Sequence, residues 1–337
     1  MTSLRILSLL VLAALVAGPA FAQSKVGTTI GEFLLIEPSA RLTGMGNAGV
    51  TNYDEIESAY YNPAAIGHFQ GTGLQVTHAA WIADIAFDYA ALGMSFGDLG
   101  NFYAAVTSLN SGDIDVTTVQ QEHGTGEKYS VTDVAVTAGY GREISERFSV
   151  GMTVSYVQET IWHTSLKTVA FGIGTIYRIG PNGLHIGASL SNFGTQASYD
   201  GTDLRVNYDQ SSQSSGDNPN IPAAIRTDQF SLPALLRVGV GMPVKIGEDN
   251  IVHVEVDAFH PSDNTESISA GAEWSFRKTF FLRAGWQNLF LQDSEVGLTL
   301  GAGIQYDMPS FTFSLDYGWA DQGRLTQSHR FTLGVSF

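Results

Sequence analysis

The chain contains no cysteine and only one long apolar run, and both features narrow what it can be. Without cysteine it has no disulfide framework, no thiolate metal site, no cysteine nucleophile and no lipidated N-terminal cysteine. The apolar run, residues 6–17, is about a dozen residues long, well short of the roughly 20 that a membrane-spanning helix needs. If the mature chain lies in a membrane, it is therefore a closed barrel and not a helical bundle.

Charged residues are also scarce: they make up 15% of the chain, against about 25% in a typical soluble domain. Most of the charge is acidic, and the formal net charge is −16. A chain this acidic is a poor partner for nucleic acid. Glycine, with 37 residues, and aromatic residues, with 11%, are frequent. This mixture suits a barrel whose outer wall faces lipid.

The first 22 residues have the features of a secretory signal peptide. Arg5 precedes the apolar run, and Ala20-Phe21-Ala22 is the small-x-small pattern that signal peptidase recognises. We predict cleavage after Ala22. The predicted organisation is a signal peptide (1–22), an N-terminal hatch segment (23–70) and an outer-membrane β-barrel (71–337) of a Gram-negative bacterium.

From about residue 73 onward, polar and apolar residues alternate strictly. In one example, Val252, Val254 and Val256 share one face of a strand, and His253 and Glu255 share the other. A period of two indicates strands with one apolar and one polar face. These strands are about 9 to 13 residues long, which fits the roughly 9 to 11 of a tilted spanning strand better than the 5 to 6 usual in a soluble sandwich.

The alternation predicts an all-β fold, a transmembrane antiparallel barrel of about fourteen strands, an even number as bacterial barrels require. Aromatic residues at strand ends fit an interfacial girdle: Tyr156, Tyr306 and Trp319. Tight connections alternate with longer ones, and the longest, 110–128 and 194–233, are expected outside the cell. Both termini are then expected on the periplasmic side. The predicted strands are 73–81, 85–96, 101–109, 129–141, 148–162, 165–179, 184–193, 234–246, 251–260, 266–276, 280–289, 296–306, 311–319 and 327–337.

Two sets of barrel residues have predicted roles. Charged residues on the inward face require a wet or polar-filled lumen, and the predicted set is Arg237, His253, Glu255, Asp257, Arg283, Asp316 and Arg330. The last strand resembles the C-terminal aromatic signature that the barrel assembly machinery recognises, in Phe331, Leu333, Val335 and Phe337.

Patterns typical of enzymes are present only in the wrong context. The glycines from Gly44 to Gly49 match a dinucleotide fingerprint, which needs a βαβ unit. Residues 93–97 spell G-x-S-x-G, which works only at a strand-to-helix turn. Strands follow both motifs, and the eight histidines form no HExxH pattern. We predict no enzymatic activity, no cofactor and no metal.

Residues 23–70 are more than a plain barrel needs, and they resemble the PorV/PorQ family, relatives of FadL-type transporters. The resemblance continues at Gly112-Asp113, at 124–126 and at 192–194, so it covers most of the mature chain. Its most specific part is an alanine-arginine and glycine-rich stretch, an acidic residue and a Tyr-Asn-Pro-Ala motif: Ala40, Arg41, Gly44, Gly46, Ala48, Asp54, Tyr61, Asn62, Pro63 and Ala64.

The resemblance implies a fourteen-stranded barrel with the hatch segment folded into the lumen. Glycine lets the hatch backbone approach the wall closely, and Pro63 is suited to ending the hatch before the first strand. The hatch motif is Arg41, Gly44, Gly46, Gly49, Asp54, Asn62, Pro63 and Ala64.

The resemblance leaves two functions open. One is a type IX secretion component that handles secreted proteins; the other is a FadL-like conduit for fatty acids or other hydrophobic small molecules, with Phe33 to Ile36 lining an apolar pocket. The expected partners are outer-membrane lipid, the barrel assembly machinery, and either type IX secretion components with secreted proteins or a hydrophobic ligand. No nucleic acid is expected.

Overall fold

The computed structural model describes residues 26–180, 183–209, 220–291 and 294–337. The predicted signal peptide lies outside these residues. Within them, no helix is both long and apolar enough to cross a bilayer.

Fourteen long antiparallel strands in the described residues form one closed sheet, which confirms the predicted fold class. Each strand pairs with its neighbour in sequence, and the first closes the sheet against the last. The strands are β1 (Thr72–Ala80), β2 (Ala86–Ser95), β3 (Asn101–Asn110), β4 (Val131–Ser145), β5 (Phe148–Ile161), β6 (Thr164–Arg178), β7 (His185–Gly194), β8 (Leu235–Ile246), β9 (Asn250–Pro261), β10 (Ser267–Phe276), β11 (Phe280–Leu289), β12 (Leu298–Asp307), β13 (Thr312–Asp321) and β14 (Gln327–Ser336).

The largest difference from the predicted strands is at β4, which continues to Ser145 although the alternation predicts an end at residue 141. A register shift between Glu143 and Ser145 interrupts the ladder with β5. An irregularity of this kind breaks the period of two, so the sequence pattern ends before the strand does.

The barrel wall is apolar outside and polar inside. On β8, Leu236, Val238 and Val240 are exposed, whereas Arg237 between them is buried. On β9, Val254 and Val256 are exposed, and the intervening polar residues are buried as predicted. Exposed aromatic side chains lie near both ends of the wall, as the lipid interfaces require: Phe96, Tyr177, Trp274, Phe280 and Tyr306 near one end, and Trp162, Phe193 and Phe290 near the other.

The connections define two ends of the barrel. At the tight-turn end, short connections join neighbouring strands, for example Gly247 to Asp249 between β8 and β9. At the long-loop end, two connections carry hairpins of their own, Ile114–Asp115 with Lys128–Tyr129 and Arg205–Tyr208 with Ile221–Ala224. Short 3-10 turns complete the connections: Ile82–Asp84, Gly97–Leu99, Thr202–Leu204 and Gly323–Leu325.

The described part of the hatch segment lies inside the barrel. It begins at the long-loop end, where the Ile30 N–H donates to the Ser231 carbonyl at 3.0 Å, and it enters β1 at the tight-turn end beside Phe337. The described chain therefore starts at the long-loop end and ends at the tight-turn end, because the segment crosses the lumen lengthwise. The described residues do not meet the expectation that both termini lie on one side. Its helical turns are Glu32–Leu35, Ala40–Thr43, Ser58–Tyr61 and Pro63–His68.

Local sequence explains these turns. The Ser39 hydroxyl accepts from the Leu42 N–H and caps the turn that follows. The Asn62 side chain accepts from the Ala64 N–H, and Pro63 occupies the first position of the next turn, where its missing donor costs nothing. The Asn-Pro pair thus starts the last turn of the hatch segment before β1.

Candidate functional site in the barrel lumen

The hatch backbone lies directly on the wall, at places where the wall itself has glycine. A Cβ added at Gly271 on β10 or Gly285 on β11 would collide with the Met45 backbone. A Cβ at Gly151 on β5 would likewise collide with Pro63. Glycine at these inward positions lets two backbones meet without a side chain between them. The predicted glycines of the hatch are thus matched by glycines of the wall.

Two buried carboxylates on β9 bind the hatch backbone. Asp257 accepts from the N–H groups of Gly49 and Val50 at 2.7 and 2.8 Å. Glu255 accepts from the Thr51 N–H at 2.6 Å and from its hydroxyl at 2.7 Å. Both acids are fully buried. Three consecutive N–H groups of the hatch therefore point at one strand, and two buried acids accept from them.

Arg41 joins the hatch to an ion-pair cluster on the wall. Its guanidinium binds both oxygens of Glu273 on β10, each at 2.8 Å. Arg283 on β11 donates to the same Glu273 at 2.6 Å and to Asp316 on β13 at 2.6 Å. Arg41 also lies 3.4 Å from Asp54 in the hatch itself. The cluster thus unites Arg41 and Asp54 of the hatch motif with two predicted lumen charges.

The remaining predicted arginines meet the hatch at Glu37. Arg237 on β8 lies 3.2 Å from the Glu37 carboxylate, and Arg330 on β14 donates to the Glu37 backbone carbonyl at 3.1 Å. The Arg330 guanidinium also stacks over Trp81, 4.7 Å from the ring centroid. All of the predicted inward charges are buried. All but His253 form hydrogen bonds with the hatch or with one another, whereas His253 Nε2 lies 4.0 Å from the Glu255 carboxyl.

Four further acids lie in the lumen that are not among the predicted site residues: Glu37, Glu55, Glu57 and Glu273. Glu273 was visible as a charge on the polar face of β10, between Ala272 and Trp274. The other three lie in the hatch, where no strand pattern marks a face. Glu55 accepts from Ser39, and Glu57 accepts from Thr77 on β1 at 2.5 Å.

The apolar stretch of the hatch packs at the long-loop end. Phe33 and Leu34 are buried against wall residues such as Val157 and Leu166 and against Leu232 of the long connection. The resemblance to FadL-type transporters suggests that this stretch lines an apolar pocket for a ligand. In the structure its neighbours are protein side chains, which occupy that position.

A wide cavity of about 1460 Å³, which we call the vestibule, lies between the hatch and the tight-turn end. Its lining combines charged and polar side chains with apolar ones such as Ile56 and Phe281. Hatch residues Arg41, Asn52 and Asp54 form one side, and inward side chains such as Lys245 and Glu273 form the other.

The predicted assembly residues lie on the outer surface of the last strand. Phe331 and Leu333 are about half exposed, Val335 is partly buried, and Phe337 follows the strand. β14 pairs with β1 on one side and with β13 on the other, so it is the strand that closes the sheet.

An apolar outer wall around a polar, occupied lumen defines this protein as an outer-membrane β-barrel. The sequence matches the family model described as "Type IX secretion system protein PorV" over residues 20–258, more than half of the chain. The chain belongs to the PorV family. No curated protein sequence matches it.

Solved structures share the barrel fold at low sequence identity. The toluene transporter TbuX of Ralstonia pickettii is 12% identical, with a TM-score of 0.54, over 89% of this chain and 97% of that one. The toluene transporter TodX of Pseudomonas putida is 13% identical, with a TM-score of 0.55, over 88% and 96%. A FadL homologue of Pseudomonas aeruginosa is 12% identical, with a TM-score of 0.54, over 94% and 99%. At this level of identity the likeness shows the barrel fold alone, and the family is the one described as a type IX secretion system protein.

Proposed function

We propose that this protein serves type IX secretion as an outer-membrane component that handles secreted protein substrates, with its lumen held closed by the hatch segment. The observation that carries the proposal is the way the hatch is fixed. Buried carboxylates and guanidiniums of four strands, β8, β9, β10 and β14, bind its backbone and side chains. A segment held in this way serves as a plug, and substrates are then handled at the ends of the barrel.

A conduit for hydrophobic molecules is the alternative, and its structural requirement is an apolar route past the hatch. Phe33 and Leu34 are the apolar hatch residues that would line such a route, and both are packed against wall and loop side chains. The vestibule beyond the hatch is lined by charged groups. These two features favour the secretion role over the conduit.

The experiment separates the roles by locking the hatch. The chain has no cysteine, so Thr51→Cys with Gly241→Cys introduces the only two thiols. The Thr51 Cβ lies 3.4 Å from the position of a Cβ at Gly241, close to the roughly 3.5 to 4.5 Å range of disulfides. Each single cysteine variant is the control for the substitution itself.

A host strain lacking the protein is complemented with each variant, and two activities are measured: export of secreted proteins to the cell surface and uptake of a radiolabelled fatty acid. We expect no export in the strain that lacks the protein. We expect the double variant to restore export equally well in its oxidised and its reduced form. If the deletion spares export and lowers uptake, the conduit is the correct function. If oxidation blocks export and reductant restores it, the hatch moves and is not a fixed plug.

A further inference from the structure

The negative charge of the outer connections is concentrated at the long-loop end of the barrel. Among the described residues, the seven connections at that end carry twelve acidic and four basic side chains, whereas the six tight connections at the other end carry four acidic and three basic ones. A surface of one sign attracts a partner of the opposite sign and speeds its association. An acidic surface alone identifies no binding site, so a second feature has to locate one.

Four carboxylic acids lie together where the hatch begins. We call them the acid cluster, and they are Glu32 of the hatch, Asp133 of β4, Glu159 of β5 and Asp263 of the connection between β9 and β10. Glu159 accepts from the Gly31 N–H at 2.6 Å and from the Tyr199 hydroxyl at 2.7 Å. Asp133 lies directly opposite Glu159 in the ladder of β4 and β5. The Thr29 hydroxyl contacts the carboxylates of both Glu32 and Asp263.

The acid cluster has fewer donors than its oxygens can use. The single proton of the Thr29 hydroxyl is shared between two carboxylates, and Asp263 Oδ1 has no hydrogen-bond partner among the described residues. Asp263 is 5% exposed, and polar atoms buried to this extent are normally paired. Its other oxygen accepts from Thr29 at 3.1 Å, so the carboxylate faces the cluster.

The acid cluster also has no basic partner. In the described part of the chain, no lysine, arginine or histidine forms an ion pair with any of the four acids. Like charges directly opposite each other on neighbouring strands are destabilising, as Asp133 and Glu159 are here. A positive group placed among these acids would therefore be stabilised. Glu32 is exposed and Asp133 partly exposed, so the cluster can be reached from the long-loop end.

We infer that the long-loop end docks a basic segment of a protein partner, with an arginine or lysine side chain seated at the acid cluster. Guanidinium and ammonium groups donate several N–H bonds at once, and their bonds to carboxylates are short and strong. The acidic connections extend beyond the reach of one side chain, so a partner with several positive charges matches this end better than a single metal ion. The inference goes beyond the proposed function and does not depend on it.

The direct test is calorimetry on the full chain in a zwitterionic detergent. Physiological ionic strength is used, because it screens charges more than about 8 Å apart. The probes are a short peptide of alternating arginine and serine, the same peptide with glutamate in place of arginine, and calcium chloride. We expect the arginine peptide to bind and the glutamate peptide not to bind. Absence of binding by the arginine peptide, or tighter binding of calcium, overturns the inference.

Matched variants locate the site. Glu32→Gln with Asp263→Asn removes two charges from the acid cluster, and we expect binding of the arginine peptide to weaken at least about tenfold. Asp84→Asn with Glu122→Gln removes two exposed charges from the same end and should change the affinity less than about twofold. Asp133→Asn is a second cluster variant, with an expected loss of at least about threefold. Equal losses in the two double variants, or wild-type affinity in both cluster variants, overturn the inference.

The pH dependence of binding gives a readout that a loss of folding would not produce. Desolvation and the neighbouring Asp263 and Glu159 carboxylates raise the pKa of Glu32 to about 7, and a cation binds the ionised carboxylate. Binding of the arginine peptide should therefore tighten from pH 6 to pH 8 in the wild type, and Glu32→Gln should reduce this increase. Equal wild-type affinity at both pH values would show that no cation is seated at Glu32, and the inference would be wrong.

Discussion

Glu273 is shared by two arginines, so its replacement tests how firmly the hatch is held. Arg41 of the hatch and Arg283 of the wall both bind it, and the side chains of Arg41, Arg283 and Glu273 are 12%, 2% and 5% exposed. Glu273→Ala leaves two buried guanidiniums without their common partner. Breaking a buried pair in this way costs about 3 to 5 kcal/mol. Since Arg41 belongs to the hatch, part of this loss falls on hatch docking.

The assay is limited trypsin digestion of the purified protein in detergent, because the bond after Arg41 becomes accessible only when the hatch leaves the wall. A loss of about 3 kcal/mol in docking raises the undocked population by more than about a hundredfold. We therefore expect rapid cleavage at Arg41 in Glu273→Ala. The barrel should keep its heat-modifiable migration, because the strand pairing does not depend on Glu273.

Asp249→Ala is the matched control. It also removes an acid from an arginine, but the pair with Arg277 is exposed at the tight-turn end and contributes only about 0 to 1 kcal/mol. Cleavage in Glu273→Ala at the rate of the wild type and of this control would refute the idea that the buried cluster holds the hatch.

Three further predictions concern the wall, the closing strand and pH. Leu315→Arg, on the lipid face of β13, should lower the free energy of unfolding by about 2 to 4 kcal/mol if residue 315 lies near the bilayer midplane. Ser314→Arg, beside the vestibule, should lower it far less. Denaturant titration in lipid vesicles compares the two variants, and equal losses would contradict the assignment of inward and outward faces. Deletion of residues 331–337 should block membrane assembly, because β14 joins β13 to β1 and an open edge is not tolerated in lipid; normal heat-modifiable migration of the truncated chain would count against this. Desolvation by the packed side chains around it raises the pKa of the Glu32 carboxyl to about 7, and the Asp263 and Glu159 carboxylates add to the increase. Because this pKa is raised in the folded state, the stability it contributes is present below about 4.5 and is lost as pH rises through 7. Glu32→Gln should therefore match the wild type at pH 4 and exceed its unfolding midpoint at pH 8, and an equal difference at both pH values would show that the carboxyl does not titrate in this range.

The sequence by itself determined the barrel. A period of two, strands long enough to cross a bilayer and charges confined to one face admit few other folds, because lipid allows no unpaired backbone. For the same reason the inward charges, from Arg237 to Arg330, could be predicted from alternation alone. The hatch motif required a family resemblance, since short helical turns leave no periodic pattern.

Only the tertiary structure decided what the lumen contains. Sequence cannot pair Arg41 with Glu273, or Asp257 with the backbone of Gly49, because these partners are more than 200 residues apart and meet only after the sheet has closed. The close approach of the hatch to the wall depends in the same way on the closed sheet, because a Cβ at Gly271 would collide with the Met45 backbone. A glycine in a strand pattern shows that a side chain is missing, and the fold alone determines which groups surround the space it leaves.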